Sequence, residues 1–208
     1  MIYLDQFMQK HPEMEPVRKD IESAYRIIEK AYENGNKLLV GGNGGSAADA
    51  EHIVGELMKT FRKDRPITYD MKQRMMKIDP ERGEQLGAWL QCSLPAIAVT
   101  GHTSLTTAVA NDVEPRMSFA QQVFGYGKEG DVFLAISTSG NAENLMLAAV
   151  AAKAMGVKIV LLTGKDGGKL FPLADAAIVV PEQETYRIQE MHETVYHLIC
   201  MELEEKFF

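Results

Sequence analysis

The chain has 208 residues, of which 46% are hydrophobic and 25% are charged, as is ordinary for a single globular domain. Its 22 basic and 29 acidic residues give a formal net charge of −7, which offers no support for a nucleic-acid partner. The apolar runs are too short to cross a bilayer, and two cysteines, Cys92 and Cys200, make no disulfide framework, so we expect a cytoplasmic protein with reduced thiols and no membrane partner.

The first predicted element is an amphipathic helix over residues 12–34. Gly35 follows it and supplies a stop signal. The helix is predicted from apolar side chains that recur at helical spacing, namely Val17, Ile21, Ala24, Ile27, Ile28 and Ala31.

Strands and helices then alternate to the end of the chain. The strands are continuous apolar runs, which is typical of a parallel sheet covered on both faces. The order αβαβαβαβα predicts an α/β, doubly wound fold with a five-stranded parallel sheet and an added N-terminal helix. We predict strands at 37–42, 94–100, 131–136, 158–163 and 176–180, and helices at 46–60, within 103–126, from Asn141 as N-cap to Gly156, and at 184–206.

Residues 62–93 do not fit this alternation. A direct link from a helix to the next strand needs only a few residues. Met71, Met75 and Ile78 have helical spacing, so part of the segment is predicted to be a short helix. We interpret 62–93 as a charged insertion within a single domain, 1–208. It is either a solvated flap or, because it leaves directly from the helix that carries Glu56, a lid or subunit contact.

Two polar loops follow the first and third predicted strands, GGNGGS at 41–46 and STSGN at 137–141. Each precedes a predicted helix, so backbone N–H groups at two helix N-termini converge with several hydroxyls at one edge of the sheet. Taken alone, the second loop could be ordinary turn chemistry. The pair of loops favours a phosphate-binding site.

Two nucleotide motifs are absent or incomplete. The sequence Gly42-x-Gly44-x-x-Ala47 approaches a dinucleotide fingerprint, but that fingerprint needs an acidic residue about 20 positions later at the end of the next strand, and here the next strand comes much later and ends in Thr100-Gly101-His102. No lysine follows either loop in the Walker pattern. We therefore expect neither NAD binding nor nucleotide hydrolysis.

Four polar side chains on two predicted helices are candidates for chemistry. His52 and Glu56 lie one helical turn apart, whereas Gln189 and His197 are eight residues apart and point about 80° from each other. Two imidazoles, a carboxylate and an amide oxygen would suit a divalent ion, zinc first, or alternatively a general base and acid. His192 competes with His197 because it follows Gln189 by only three residues. Spacing alone leaves both assignments open.

Five motifs in order resemble the sugar isomerase (SIS) domain family, whose fold is flavodoxin-like. The resemblance is strongest with its bacterial phosphoheptose isomerase branch and covers nearly the whole chain except 62–93 and the extreme N-terminus. The motifs are GGNGGSAADAEHIVGE (41–56), AVAND (108–112), STSGN (137–141), LLTGKDGG (161–168) and RIQEMHETVYH (187–197).

The resemblance implies a role for each matched position. Glu56 and His197 would be catalytic, and His52, Glu56, Gln189 and His197 would hold one zinc ion per subunit, which favours His197 over His192. A homotetramer is implied, with residues 1–36 as an N-terminal oligomerisation helix, although that helix could equally cover its own sheet. The implied substrate-binding residues are Asn43, Gly44, Gly45, Ser46, Asn111, Asp112, Ser137, Thr138, Ser139 and Gln189.

The implied activity is aldose–ketose isomerisation of a sugar phosphate, sedoheptulose 7-phosphate to D-glycero-D-manno-heptose 7-phosphate, through an enediol. Three departures from the family pattern leave the exact sugar open: Ala142 after the second loop, Thr60 four residues after Glu56, and the insertion at 62–93. The alternatives are an isomerase of another sugar phosphate and a non-catalytic phosphosugar-binding protein or adaptor, of the kind that associates with the bacterial replication initiator. The presence of both Glu56 and His197 favours an enzyme.

Overall fold

The computed structural model describes all 208 residues and is built around one five-stranded sheet. The strands pair only in parallel, in the order β2-β1-β3-β4-β5. The predicted doubly wound α/β fold with five parallel strands is confirmed. The strands are β1 (Leu38–Gly42), β2 (Ala96–Ala98), β3 (Val132–Ser137), β4 (Lys158–Thr163) and β5 (Ala176–Val179).

Nine α-helices surround the sheet. They are α1 (Leu4–Lys10), α2 (Arg18–Glu33), α3 (Gly45–Met58), α4 (Tyr69–Ile78), α5 (Pro80–Trp89), α6 (Thr103–Asp112), α7 (Ser118–Tyr126), α8 (Glu143–Ala154) and α9 (Thr185–Phe207). No α-helix combines the length with the apolar composition that a membrane span requires.

The sheet has a hydrophobic core on each face. In β3, Leu134 faces one core and Phe133 faces the other, because successive strand side chains point to opposite faces. Helices α2, α3 and α9 cover the first face, and α7 and α8 cover the second. Helix α3, which follows β1, and α8, which follows β3, therefore lie on opposite sides of the sheet.

The N-terminal region differs from the single helix predicted over 12–34. Residues Pro12–Val17 form a 3-10 helix before α2 begins, and α1 precedes it. Pro16 lacks the N–H that a continuous α-helix would need there. The apolar face of α2 is buried on the chain's own sheet, where Ile21 and Ala24 are fully buried. A subunit contact through α2 would therefore use its outer face, and the oligomerisation role of 1–36 stays a prediction.

Residues 62–93 contain two helices rather than one. Helices α4 and α5 form a hairpin, packed so closely that a Cβ on Gly83 would lie 2.4 Å from the backbone nitrogen of Met76. Thr68 and Asp79 cap the two helices through their side chains. No residue of α4 is buried, and Trp89 of α5 is 83% exposed. Whether the segment is an insertion relative to the family stays a prediction.

Two smaller predictions were wrong at their boundaries. The second strand is limited to three residues, Ala96–Ala98, at the sheet edge, rather than the predicted 94–100. Asn141 is not the N-cap of α8, since Ala142 occupies that position. The Asn141 side chain instead donates to the Ser139 carbonyl at 2.8 Å and accepts from the Lys169 N–H at 3.2 Å. The asparagine stabilises the loop rather than the helix.

Candidate active site

The strand order changes direction between β1 and β3, which are neighbours in the sheet. Because α3 and α8 leave these strands toward opposite faces, a crevice opens at their carboxyl ends. Ligands of doubly wound proteins bind at such a switch point. Both polar loops predicted from the sequence lie at this crevice, one after each strand.

The first loop, residues 42–46, turns sharply into α3. Gly42 has no room for a side chain, since a Cβ would lie 2.4 Å from the Ser46 carbonyl oxygen, and Gly44 adopts a φ of 55°. The N–H groups of Asn43, Gly44 and Gly45 donate no hydrogen bond within the chain, whereas Ser46 donates to the Asn43 carbonyl. The unused donors at the N-terminus of α3 suit an anion.

The second loop, residues 137–141, presents a similar set of donors. Ser137 is buried at the end of β3, and the N–H groups of Thr138 and Ser139 have no partner within the chain. Gly140 lies under the Gly167 carbonyl, with a φ of 63° and no room for a Cβ, so the LLTGKDGG segment supports this loop from behind. Leu170 N–H donates to the Gly140 carbonyl at 2.9 Å.

The two loops are joined by a pair of amides. Asn43 Nδ2 donates to Asn144 Oδ1 at 3.0 Å, and Asn144 Nδ2 donates to Asn43 Oδ1 at 2.8 Å. Asn144 belongs to the first turn of α8 and was missed at the sequence level, where nothing distinguishes it from a helix N-terminal residue. The amide pair holds the two helix N-termini at a set separation across the crevice.

Helices α3 and α9 bring together three of the four residues predicted to hold a metal or perform chemistry. His52 Nε2 lies 3.2 Å from Glu56 Oε1, and the rings of His52 and His197 are 5.0 Å apart between centroids. The fourth, Gln189, lies nearer the first loop, where a Cβ on Gly45 would meet its Nε2 at 2.5 Å. Gln189 is therefore placed beside the first loop, about two helical turns from His197.

The side chains around His52 and His197 also have donor atoms suited to a divalent cation. His52, His197 and Glu193 each offer one ligand atom, and these atoms lie within 4.8 Å of one another. Glu56 Oε2 is buried without a hydrogen-bond partner. Glu193 was not predicted, although it precedes His197 by four residues and therefore shares its helix face. Two imidazoles and a nearby carboxylate are a suitable set for zinc.

The environment favours a neutral imidazole at His197. Burial lowers the pKa of His197, and the neighbouring His52 lowers it further, against the opposing effect of Glu193 and Glu56. A neutral ring can act as a metal ligand or accept a proton. A cavity of about 370 Å³ opens on His197 and is also lined by Tyr3, Lys10 and Arg62, so the ring is accessible from the surface.

Tyr196 and Asp49 stand behind His52. The Tyr196 hydroxyl lies 3.0 Å from His52 Nδ1 and 3.5 Å from Asp49 Oδ1. Burial raises the pKa of Asp49 to about 6, and the charge of Glu193 adds to this effect. Neither Tyr196 nor Asp49 was singled out from the sequence, because nothing in their spacing shows that α9 packs on α3 at this height.

His192 is excluded from the site by its position. It is fully buried against the sheet, and neither ring nitrogen has a partner with hydrogen-bond geometry. Burial lowers its pKa to about 4, only partly opposed by the Thr163 carbonyl. Of the two competing histidines, the structure thus brings His197 and not His192 to His52 and Glu56.

Asn111 and Asp112 lie at the C-terminal end of α6, exposed on the surface. Their only side-chain hydrogen bond joins the two residues, from Asn111 Nδ2 to Asp112 Oδ1 at 2.8 Å. Their predicted contact with substrate therefore stays a prediction.

Comparison with known proteins agrees with this geometry. Two family models, both described as SIS domain, match residues 3–87 and 96–201. A phosphoheptose isomerase of Nitratiruptor sp. is 42% identical over 193 residues, covering 93% of this chain and 89% of the relative. One from Aneurinibacillus thermoaerophilus is 41% identical, covering 90% of this chain and 85% of the relative. The chain belongs to the SIS domain family.

A solved structure supports the same assignment at the level of the fold. The phosphoheptose isomerase of Neisseria gonorrhoeae superposes with a TM-score of 0.76 at 29% identity, covering 98% of this chain and 96% of that one. The similarity therefore extends over both faces of the sheet and both sides of the crevice.

Proposed function

We propose that the chain is a phosphoheptose isomerase, an aldose–ketose isomerase that converts sedoheptulose 7-phosphate to D-glycero-D-manno-heptose 7-phosphate. The observation that carries the proposal is that Glu56 contacts His52 and the His197 ring lies beside His52, on helices α3 and α9, while α3 itself begins at a crevice with two sets of unused backbone N–H donors. The similarity to named phosphoheptose isomerases over at least 90% of the chain supports the choice of sugar.

The two loops would hold the phosphate and the sugar hydroxyls. The N–H groups of Thr138 and Ser139, with the hydroxyls of Ser137, Thr138 and Ser139, are assigned to the phosphate. Residues 43–46, with Gln189 beside them, are assigned to the sugar, and so are Asn111 and Asp112 of α6. Binding the non-reacting phosphate positions C1 and C2 against the reactive groups.

The chemistry requires a proton to move between C1 and C2 of the open-chain sugar. The Glu56 carboxylate removes the proton from C1 beside the C2 carbonyl, and returning it to C2 of the enediolate gives the aldose. His197 acts as the acid and transfers protons at the sugar oxygens on C1 and C2. Glu56 suits the role of base because its Oε2 is buried and accepts no hydrogen bond, with Lys59 Nζ as its nearest cation at 3.8 Å.

We also assign one zinc ion per subunit to this site. Family resemblance assigns it to His52, Glu56, Gln189 and His197, whereas His52, Glu193 and His197 are the residues whose ligand atoms all lie within 4.8 Å of one another. When bound, zinc polarises a carbonyl and stabilises an enediolate. If Glu193 is the carboxylate ligand, Glu56 stays free to act as the base.

The test is turnover of sedoheptulose 7-phosphate by the purified protein, with and without added zinc. The Glu56→Gln variant should lose aldose formation, whereas Glu190→Gln, which changes an exposed glutamate of α9, should retain it. A panel of shorter ketose phosphates run in parallel identifies an isomerase of another sugar. Absence of turnover with every ketose phosphate would contradict the proposal and favour a binding protein or adaptor.

The oligomeric state is proposed from the family resemblance. We infer a homotetramer from the family resemblance, with residues 1–36 contributing through surfaces that the chain's own sheet does not cover. Light scattering should give about four times the mass of one chain, and a monomer would contradict it.

We infer a cytoplasmic location, since both cysteines are free thiols. Recovery of the protein in a periplasmic fraction would contradict it.

A further inference from the structure

Tyr196 lies between a carboxylate and an imidazole on α3. Its hydroxyl oxygen is 3.0 Å from His52 Nδ1 and 3.5 Å from Asp49 Oδ1. The tyrosine is only 2% exposed and packs against the His52 ring with centroids 5.6 Å apart. The hydroxyl therefore has these two partners and no freedom to reach others.

A phenol hydroxyl carries one proton and can donate to only one of these neighbours. Asp49 has no other donor, because Tyr196 alone approaches its Oδ1 and its Oδ2 is buried without a partner. Donation to His52 would leave the carboxylate with no hydrogen bond at all, which is costly for a shielded charge. Tyr196 therefore donates to Asp49, and its oxygen accepts a hydrogen bond from the Nδ1–H of His52.

We infer that Asp49 and Tyr196 are positioning residues that hold His52 in the tautomer with Nδ1 protonated and the Nε2 lone pair directed into the site. In this tautomer Nε2 faces Glu56 Oε1 at 3.2 Å. Two acceptors at that distance repel each other unless a cation lies between them, whereas a proton between them would be the competing tautomer, in which Nε2–H donates to Glu56. The Nδ1–H tautomer is therefore expected of the protein with zinc supplied. The arrangement is a carboxylate–histidine pair of the kind that orients metal ligands, with a tyrosine hydroxyl inserted between its members.

The tautomer can be observed directly by nitrogen NMR of zinc-loaded protein labelled with ¹⁵N-histidine, at about pH 8 where an ordinary imidazole is neutral. The chain has five histidines, and the signal lost in His52→Gln identifies the one required. We expect the protonated nitrogen of His52 to be Nδ1 in the wild type and the Nε2–H form to increase in Tyr196→Phe. Tyr32→Phe is the matched control, since it removes another buried phenol, bonded to the Pro95 carbonyl at 3.3 Å.

A second readout is zinc affinity, measured by competition with a chelator. Tyr196→Phe and Asp49→Asn should each weaken zinc binding roughly 10- to 100-fold, and the double variant should cost little more than either change alone. Tyr32→Phe should bind zinc as the wild type does. Thermal unfolding of the metal-free variants separates loss of the fold from loss of the site.

A wild-type His52 that is protonated at Nε2 would overturn the inference. So would a Tyr196→Phe variant with unchanged tautomer and unchanged zinc affinity. The inference rests on the proposed function only for its consequence in catalysis. If the wild type shows no turnover while His52 is protonated at Nδ1, the isomerase proposal fails and the tautomer assignment stands.

Discussion

The side-chain amides of Asn43 and Asn144 exchange two hydrogen bonds, of 3.0 and 2.8 Å, across the crevice between β1 and β3. The two residues are 101 positions apart in the chain, yet each stands at the start of a helix whose free N–H groups face the same space. The separation of the two proposed substrate loops therefore depends on this pair of side chains.

Asn144→Ala should weaken use of the sugar phosphate while the fold is retained. A neutral hydrogen bond contributes about 0.5–1.5 kcal/mol, and this pair is exposed, so we expect roughly a 3- to 30-fold loss in kcat/KM, mainly through KM. Steady-state kinetics measures it, with Asn34→Ala, at the C-cap that follows α2, as control. A lower kcat at unchanged KM would show that the amide pair does not act through substrate binding.

The carboxylate ligand of the proposed zinc ion can be identified by comparing two glutamates. Glu193→Gln removes a ligand and should weaken zinc binding by more than the roughly 10- to 100-fold typical of an outer-shell partner, and turnover should recover when zinc is in excess. Glu56→Gln should stay inactive at any zinc concentration, because the base is absent. Zinc affinity and turnover are measured over one zinc titration. Wild-type affinity in Glu193→Gln would assign the ligand to Glu56 instead.

Gly140→Ala should disrupt the second loop. A Cβ there would lie 1.8 Å from the Gly167 carbonyl oxygen, and the φ of 63° disfavours any side chain. We expect a lower melting temperature and loss of turnover together. Gly125→Ala is the control, since a Cβ in that helix meets nothing within 4 Å and should stabilise the protein by up to about 1 kcal/mol. Equal behaviour of the two variants would contradict the close packing of the loops.

Arg65 should be essential for the position of Glu56 and for stability. Its guanidinium is fully buried, pairs with Glu204 at 2.8 Å, and donates to the carbonyls of Glu56 and Leu57 at the end of α3. Arg65→Met should cost about 3–5 kcal/mol, because it leaves the Glu204 charge without its partner. Arg65→Lys keeps the charge but loses the fork geometry and should fall between. Urea unfolding measures both, and a neutral Arg65→Met would contradict this role.

Asp131 should contribute stability that depends on pH. Burial raises the pKa of its carboxyl, but hydrogen bonds from the Lys37 side chain and from the N–H groups of Lys37 and Lys128 outweigh burial, so the pKa is lowered on folding. A lowered pKa stabilises the fold above the unfolded value of about 3.9, and that contribution is lost as pH falls through the folded value.

Asp131→Asn should therefore be less stable than the wild type at pH 7, with a difference that shrinks below about pH 4. Unfolding by urea across this pH range measures the effect. Asp20→Asn, which changes an acidic residue of the first turn of α2, serves as control. A difference that stays constant from pH 7 to pH 3 would show that Asp131 acts through packing rather than charge.

The alternation of strands and helices, the two polar loops and the pair His52 and Glu56 could all be read from the sequence. These features are local: burial on both faces makes a strand continuously apolar, a tight turn needs glycine, and residues four apart share a helix face. The same pattern predicted the class of sheet, parallel and doubly wound, but not the order of its strands, because apolar runs do not indicate which strands are neighbours.

Only the tertiary structure decided which side of α9 meets α3. That rotation separates His197 from the buried His192, places Gln189 beside the first loop, and adds Glu193, Tyr196 and Asp49 to the site. The tertiary structure also pairs Asn43 with Asn144 and folds residues 62–93 into a helical hairpin. Such contacts join residues far apart in the chain, and their geometry depends on how whole helices pack, which no local spacing contains.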